Sequence, residues 1–252
     1  MEKNNNAASR LYRLLEQGAS LPDNTATLKA WASVFRMEEP YGVQLSIDVS
    51  ERLLWLNQEL EILEQQLAAF KPEDANRAEA LTHIGQALSP VYLPTNWDNV
   101  KQFLSAETLN SLANWIEILS EDERSIQQEE LEAIRVQTQE LEPLLGSSTL
   151  DEKLKLLVSR QVKSIRKALD GYSIIGTRAL KAAAFSALGE LIYIEPTLKS
   201  HCDKPEVRKL IDVWEKISEL ADQALPIEGD IAGEEGGRVR KNPWTALCPR
   251  SA

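Results

Sequence analysis

Apolar residues recur every three or four positions through almost the whole chain, and alternation at a spacing of two is rare, so the pattern predicts helices nearly throughout. The first covers about 7–18, with Leu11, Leu14 and Leu15 on one face and Gly18 at its end. Pro22-Asp-Asn-Thr25 supplies a start for the second, in which Leu28, Trp31 and Phe35 align. Tyr41, Val43, Leu45 and Ile47 do alternate, but a lone strand has nothing to pair with, and this stretch reads as an extended connector. A long helix over about 48–70 follows. Its Leu53, Leu56, Leu60, Leu63 and Leu67 are spaced like a coiled-coil seam, over a length that suits a bundle helix. Lys71-Pro72 breaks the chain before a helix at about 73–88, Pro90 and Pro94 frame a connector, and starts at Thr95 and Ser105 introduce two more helices.

Charge then separates along the chain. Residues 121–142 hold eight acidic and two basic side chains, whereas 153–167 hold six basic side chains and no acid. Pro143 to Ser148 connects them, which predicts an antiparallel hairpin over 121–171 with oppositely charged arms. Ser120-x-x-Glu123 and Thr149-x-x-Glu152 match the capping box and place the starts of the two arms. Gly171 is expected to interrupt the basic helix, with Gly176 near the beginning of the next. Residues 177–194 are rich in small side chains (Ala182, Ala183, Ala184, Ser186, Ala187, Gly189), which let helix axes approach closely, and this helix is expected to be central and most buried. A last helix after Pro205 carries Val207, Leu210, Ile211, Trp214, Ile217 and Leu220 inward. From Leu225 four glycines and three prolines fall within 28 residues, the composition of a flexible tail.

The expected architecture is all-α: a single multi-helix bundle of roughly nine or ten helices. Its parts are an N-terminal helical pair over 1–40, a main bundle over 41–224 and an irregular tail over 225–252 that is a candidate docking segment. No internal repeat supports a solenoid.

Composition narrows the function classes. The net charge of −11 disfavours broad nucleic-acid binding, although a local basic patch can override the average. With only Cys202 and Cys248, the latter in the expected tail, no disulfide framework is anticipated, and a reducing cytoplasm fits. The N-terminus lacks the apolar core of a signal peptide, and Leu191 to Ile194 is far too short to span a bilayer, so a cytoplasmic protein without membrane association is expected.

Two segments suggest a protein partner, another subunit of some assembly. On a helical wheel Lys153, Arg160, Lys163, Arg166 and Lys167 share an arc opposite Leu154, Leu157, Val158, Ile165 and Leu169, and Arg178 and Lys181 extend the basic character. That arc can meet Glu129, Glu130 and Glu132 within the molecule or an acidic surface outside it; it is also the face that nucleic acid would use. In the tail, Arg238, Arg240 and Lys241 precede Trp244 and Leu247, the form of a docking peptide with an aromatic anchor.

Catalytic and metal motifs are sparse. Arg77-Ala-Glu-Ala-Leu-Thr-His83 resembles the signature of HEPN-type ribonucleases, helical bundles whose paired motifs cleave RNA. The resemblance covers seven residues and implies metal-independent cleavage, with His83 as general acid or base and Arg77 holding the phosphate. Ala78 stands where that family usually has a polar residue, and the motif lies in an early helix rather than late in a bundle. Glu79 and His83, and the run His201-Cys202-Asp203, fall short of a di-iron or zinc ligand set, and no phosphate loop, nucleophile elbow or dinucleotide fingerprint occurs. No metal or cofactor is therefore expected. In overall look, an acidic all-helical chain that opens with short Leu- and Trp-bearing helices, the protein is similar to accessory subunits of bacterial multi-gene systems such as phage defence. The preferred reading is a non-enzymatic interaction or regulatory subunit.

Overall fold

The structure, a computed structural model, describes residues 5–37, 42–70, 75–225 and 243–249. Among these residues it is all-α, with no strand beyond an isolated bridge between Ala26 and Asn96. It divides into two compact units, Met1–Asp122 and Glu123–Ala252.

The first unit contains α1 (Ala7–Ala19), α2 (Thr27–Val34), α3 (Val43–Phe70), α4 (Ala75–Ala87), a 3-10 turn at Pro90–Tyr92, α5 (Asp98–Lys101) and α6 (Ala106–Ile118). Helix α1 begins with a capping box between Asn6 and Ser9 and buries Leu11, Leu14 and Leu15 against α3 and α6. The expected separate N-terminal pair is thus absorbed into a larger unit, because two short amphipathic helices cannot close a core alone. The α1–α2 and 3-10–α5 connections meet where Thr27 N–H donates to the Thr95 carbonyl (2.9 Å) and Trp97 N–H to that of Thr25 (2.8 Å). The Trp97 indole crosses to the Gly18 carbonyl (2.9 Å), and the absence of a side chain at Gly18 leaves room for the ring. Beneath them lies a buried charge network: Arg10 Nε reaches Glu59 at 2.7 Å and its two terminal nitrogens fork onto Asp122 at 2.9 and 3.1 Å. Residues 43–47, expected to be extended, form the first turn of α3. Val43 and Ile47 stand four apart on one exposed helical face, so the alternation was a coincidence of spacing.

The second unit contains α7 (Gln128–Gln139), α8 (Leu141–Ser147), α9 (Glu152–Ile175), α10 (Thr177–Tyr193), α11 (Glu195–Lys199), α12 (Pro205–Ala224) and α13 (Pro243–Leu247). Among the described residues nine helices reach eight residues, and the shorter α5, α8, α11 and α13 add to the expected nine or ten. The expected hairpin exists as α7–α8 and α9, with Gly171 buried inside α9 rather than breaking it. No helix starts at Ser120. Residues 119–127 run non-helically, and Glu123, buried, sends its carboxylate to the start of α10, where it accepts the Thr177 N–H at 2.8 Å. Gly176 makes that approach possible. It adopts φ 66° and ψ −151°, a conformation open essentially to glycine alone, and a Cβ there would collide with the carboxylate. The cap of α9 is likewise Asp151, which accepts from Lys153 N and Leu154 N at 2.9 and 3.0 Å, rather than Thr149.

Helix α12 is the central helix of this unit, touching α7, α8, α9, α10 and α13. The expectation that α10 would be most buried is overturned, since Phe185, Ile192 and Tyr193 are 63, 51 and 89 % exposed. The tail is corrected too. Helix α13 packs on α12, α10 and α11, Trp244 stacks on Trp214 with centroids 6.2 Å apart and planes 10° apart, and Cys248 is joined to Cys202 in a disulfide. The pair lies 46 residues apart with one cysteine beyond a Gly- and Pro-rich stretch, so spacing alone does not reveal it; the staple removes the argument for a reducing compartment. Among the described residues no helix is long and apolar enough to cross a membrane.

Candidate functional site

The basic residues singled out above are shared among several helices, one of them the acidic arm. Arg160 pairs with Glu190 of α10, Arg166 with Glu142 of α8 at 2.8 Å and Lys181 with Asp222 of α12 at 3.7 Å. Glu132 pairs with Arg135 in its own helix, and the α7–α9 contact at 3.9 Å runs with inverted signs, Arg135 of the acidic arm to Asp170 of the basic one. Lys153, Lys163 and Lys167 lie exposed along α9, and Arg178 is half-buried at the start of α10. Arg238, Arg240 and Lys241 lie outside the described residues. Trp244 and Leu247, expected as docking anchors for a partner, are buried in their own unit and so already engaged.

Arg77 and His83 do not form a reactive pair within the chain. Six residues apart on α4, they point about 120° away from each other and sit about 9 Å apart along the axis. Arg77 Nη1 donates to the Leu67 carbonyl at 3.0 Å, closing the last turns of α3. His83 lies 3.4 Å from the Thr108 hydroxyl and against Phe103, in a polar groove that Glu79 and Ser105 also line and Arg77 does not. For metals, His201 donates to the Thr197 carbonyl at 2.9 Å and Cys202 is spent in the disulfide; among the described residues no cluster of ligating side chains occurs.

What the fold does present is a surface of α10. Leu180, Ala184, Ala187 and Leu191 fill one arc of this helix and are buried. The opposite arc carries Ala182, Phe185, Ser186, Gly189, Ile192 and Tyr193, every one exposed and none charged. Around Gly189 there is open space within 4 Å of where a Cβ would stand. Beside this face a groove of about 700 Å³ runs between α10, α12 and α13, with Ala184, Leu188 and Ala221 along its floor and Lys181, Glu219 and Asp222 at its rim. Small residues down the middle with large apolar ones beside them form a receptive face for a packed helix. The sequence did carry a signal for it: α10 has few charged residues (Arg178, Lys181 and Glu190) among mostly apolar and small ones, which fits either a core helix or one shared between its own bundle and a partner. Compared with protein-family models, curated proteins and solved structures, the chain matches none.

Proposed function

We propose that the protein is a non-catalytic docking subunit that engages another polypeptide through the exposed arc of α10. The observation that carries this reading is the uncharged stripe from Ala182 to Tyr193, opposite the buried arc of the same helix. Leaving an aromatic and an aliphatic side chain in water forgoes about 1.5–3 kcal/mol each relative to burial, a cost that docking recovers. The likeness in general look to accessory subunits of bacterial multi-gene systems fits such a role. A photoreactive residue at position 186 in cells of the source organism tests it. Protein adducts are expected there and not from the exposed position 110 on α6; equal labelling at both, or none at 186, refutes the reading. The ribonuclease alternative would require His83→Ala to abolish RNA cleavage by the purified, folded chain; Arg77 is engaged with the Leu67 carbonyl and does not line the groove that holds His83. Nucleic-acid binding along α9 would show as an affinity that falls steeply with salt.

A further inference from the structure

We infer that the polypeptide docking on α10 is a second copy of this chain, arranged as a parallel two-fold dimer with α10 at its centre; this rests on the docking reading above. The chain reverses at Gly176 between α9 and α10 and again through α11, so α9 and α12 run antiparallel to α10 and parallel to one another. Two ion pairs fix their heights beside it. Arg160 of α9 meets Glu190 on one flank of α10, and Asp222 of α12 meets Lys181 at 3.7 Å on the other. Because every residue rises about 1.5 Å, Lys167 and Lys163 stand roughly level with 183 and 187 of α10. By the same rise Glu219 and Glu215 stand roughly level with 184 and 188.

The exposed apolar arc therefore has a basic flank on α9 (Arg160, Lys163, Lys167) and an acidic flank on α12 (Asp212, Glu215, Glu219, Asp222) at matching heights. The acidic residues are spaced three, four and three apart, which keeps them on one side of α12. A two-fold axis parallel to α10 exchanges left and right without changing height. It thus lays the acidic flank of each copy over the basic flank of the other, twice. An antiparallel arrangement would set acid against acid. In the seam, Ala182, Phe185, Gly189 and Ile192 follow the three–four spacing of packed parallel helices, and the open space at Gly189 lets the axes close in. A membrane surface or nucleic acid would be repelled by the α12 flank and the net charge of −11. The separation of charge along the sequence acquires a purpose here that the mixed intramolecular pairings do not give it.

Light scattering on the purified full chain at micromolar concentration should give twice the chain mass of 28.2 kDa. Phe185→Glu should give monomer with unchanged helical circular dichroism, since its site is exposed. Lys163→Glu/Lys167→Glu and Glu219→Lys/Asp222→Lys should each weaken the dimer by about tenfold or more, and mixing the two should restore it as a heterodimer. A wild-type monomer, a dimer indifferent to Phe185→Glu, or failure of the mixture to associate overturns the inference. Wild-type monomer together with an adduct at position 186 to a different protein leaves the docking reading standing; monomer with no adduct removes both.

Discussion

Replacing Cys202 and Cys248 with serine tests whether the C-terminal segment is held by packing or by its covalent tie. The bond closes a loop of 46 residues, for which loop-closure entropy gives about 4 kcal/mol of stabilisation. Packing alone is nearly balanced. Burial of Trp244 and Leu247 contributes about 6–9 kcal/mol, against about 5–10 kcal/mol for fixing the five-residue backbone of α13. The tie therefore decides whether α13 stays on the bundle. In the double serine variant, or in the wild type with reductant, denaturant unfolding of the second unit should lose up to about 4 kcal/mol. Tryptophan emission should shift red as the Trp214–Trp244 stack opens, while helical circular dichroism changes little. If the oxidised and reduced proteins unfold at the same denaturant concentration with the same emission, α13 is held by packing alone and the reasoning is wrong.

Two further substitutions probe the polar interior. Gly176→Ala should cost at least about 2 kcal/mol, from the glycine-only backbone conformation and the collision with Glu123. In a Glu123→Ala background the same change should cost less, because the collision is gone, and thermal melts of the four proteins measure the coupling. Arg10→Met should destabilise the first unit by about 3–5 kcal/mol by stranding the buried Glu59 carboxylate, whereas Arg10→Met/Glu59→Leu should recover much of that in urea unfolding.

The helices were legible where burial is one-sided. The inward residues of α12, Val207, Leu210, Ile211, Trp214, Ile217 and Leu220, are all buried, because a helix packed along one stripe writes that stripe into its 3.6-residue period. Errors cluster where a residue's partner is distant in sequence. Glu123 stands in a capping-box position relative to Ser120, yet its carboxylate serves a helix that begins 54 residues later. Cys248 and Trp244 sit after a Gly- and Pro-rich stretch, and only the tertiary return of α13 shows that they meet Cys202 and Trp214.

The misreading of α10 has a different origin. A helix made mostly of apolar and small residues disfavours water, but its composition does not state how many neighbours it finds. In this unit α12 takes the central place, with α7, α8, α9, α10 and α13 around it, and among the described residues one arc of α10 stays exposed. An exposed apolar patch of this kind marks a candidate contact surface for a partner. The separation of charge belongs with it, since basic residues of α9 and acidic residues of α12 flank the same uncovered face. Both features make sense together if the fold of one copy is completed by another: residues that look like a misplaced core and a mismatched hairpin become a seam and its two borders.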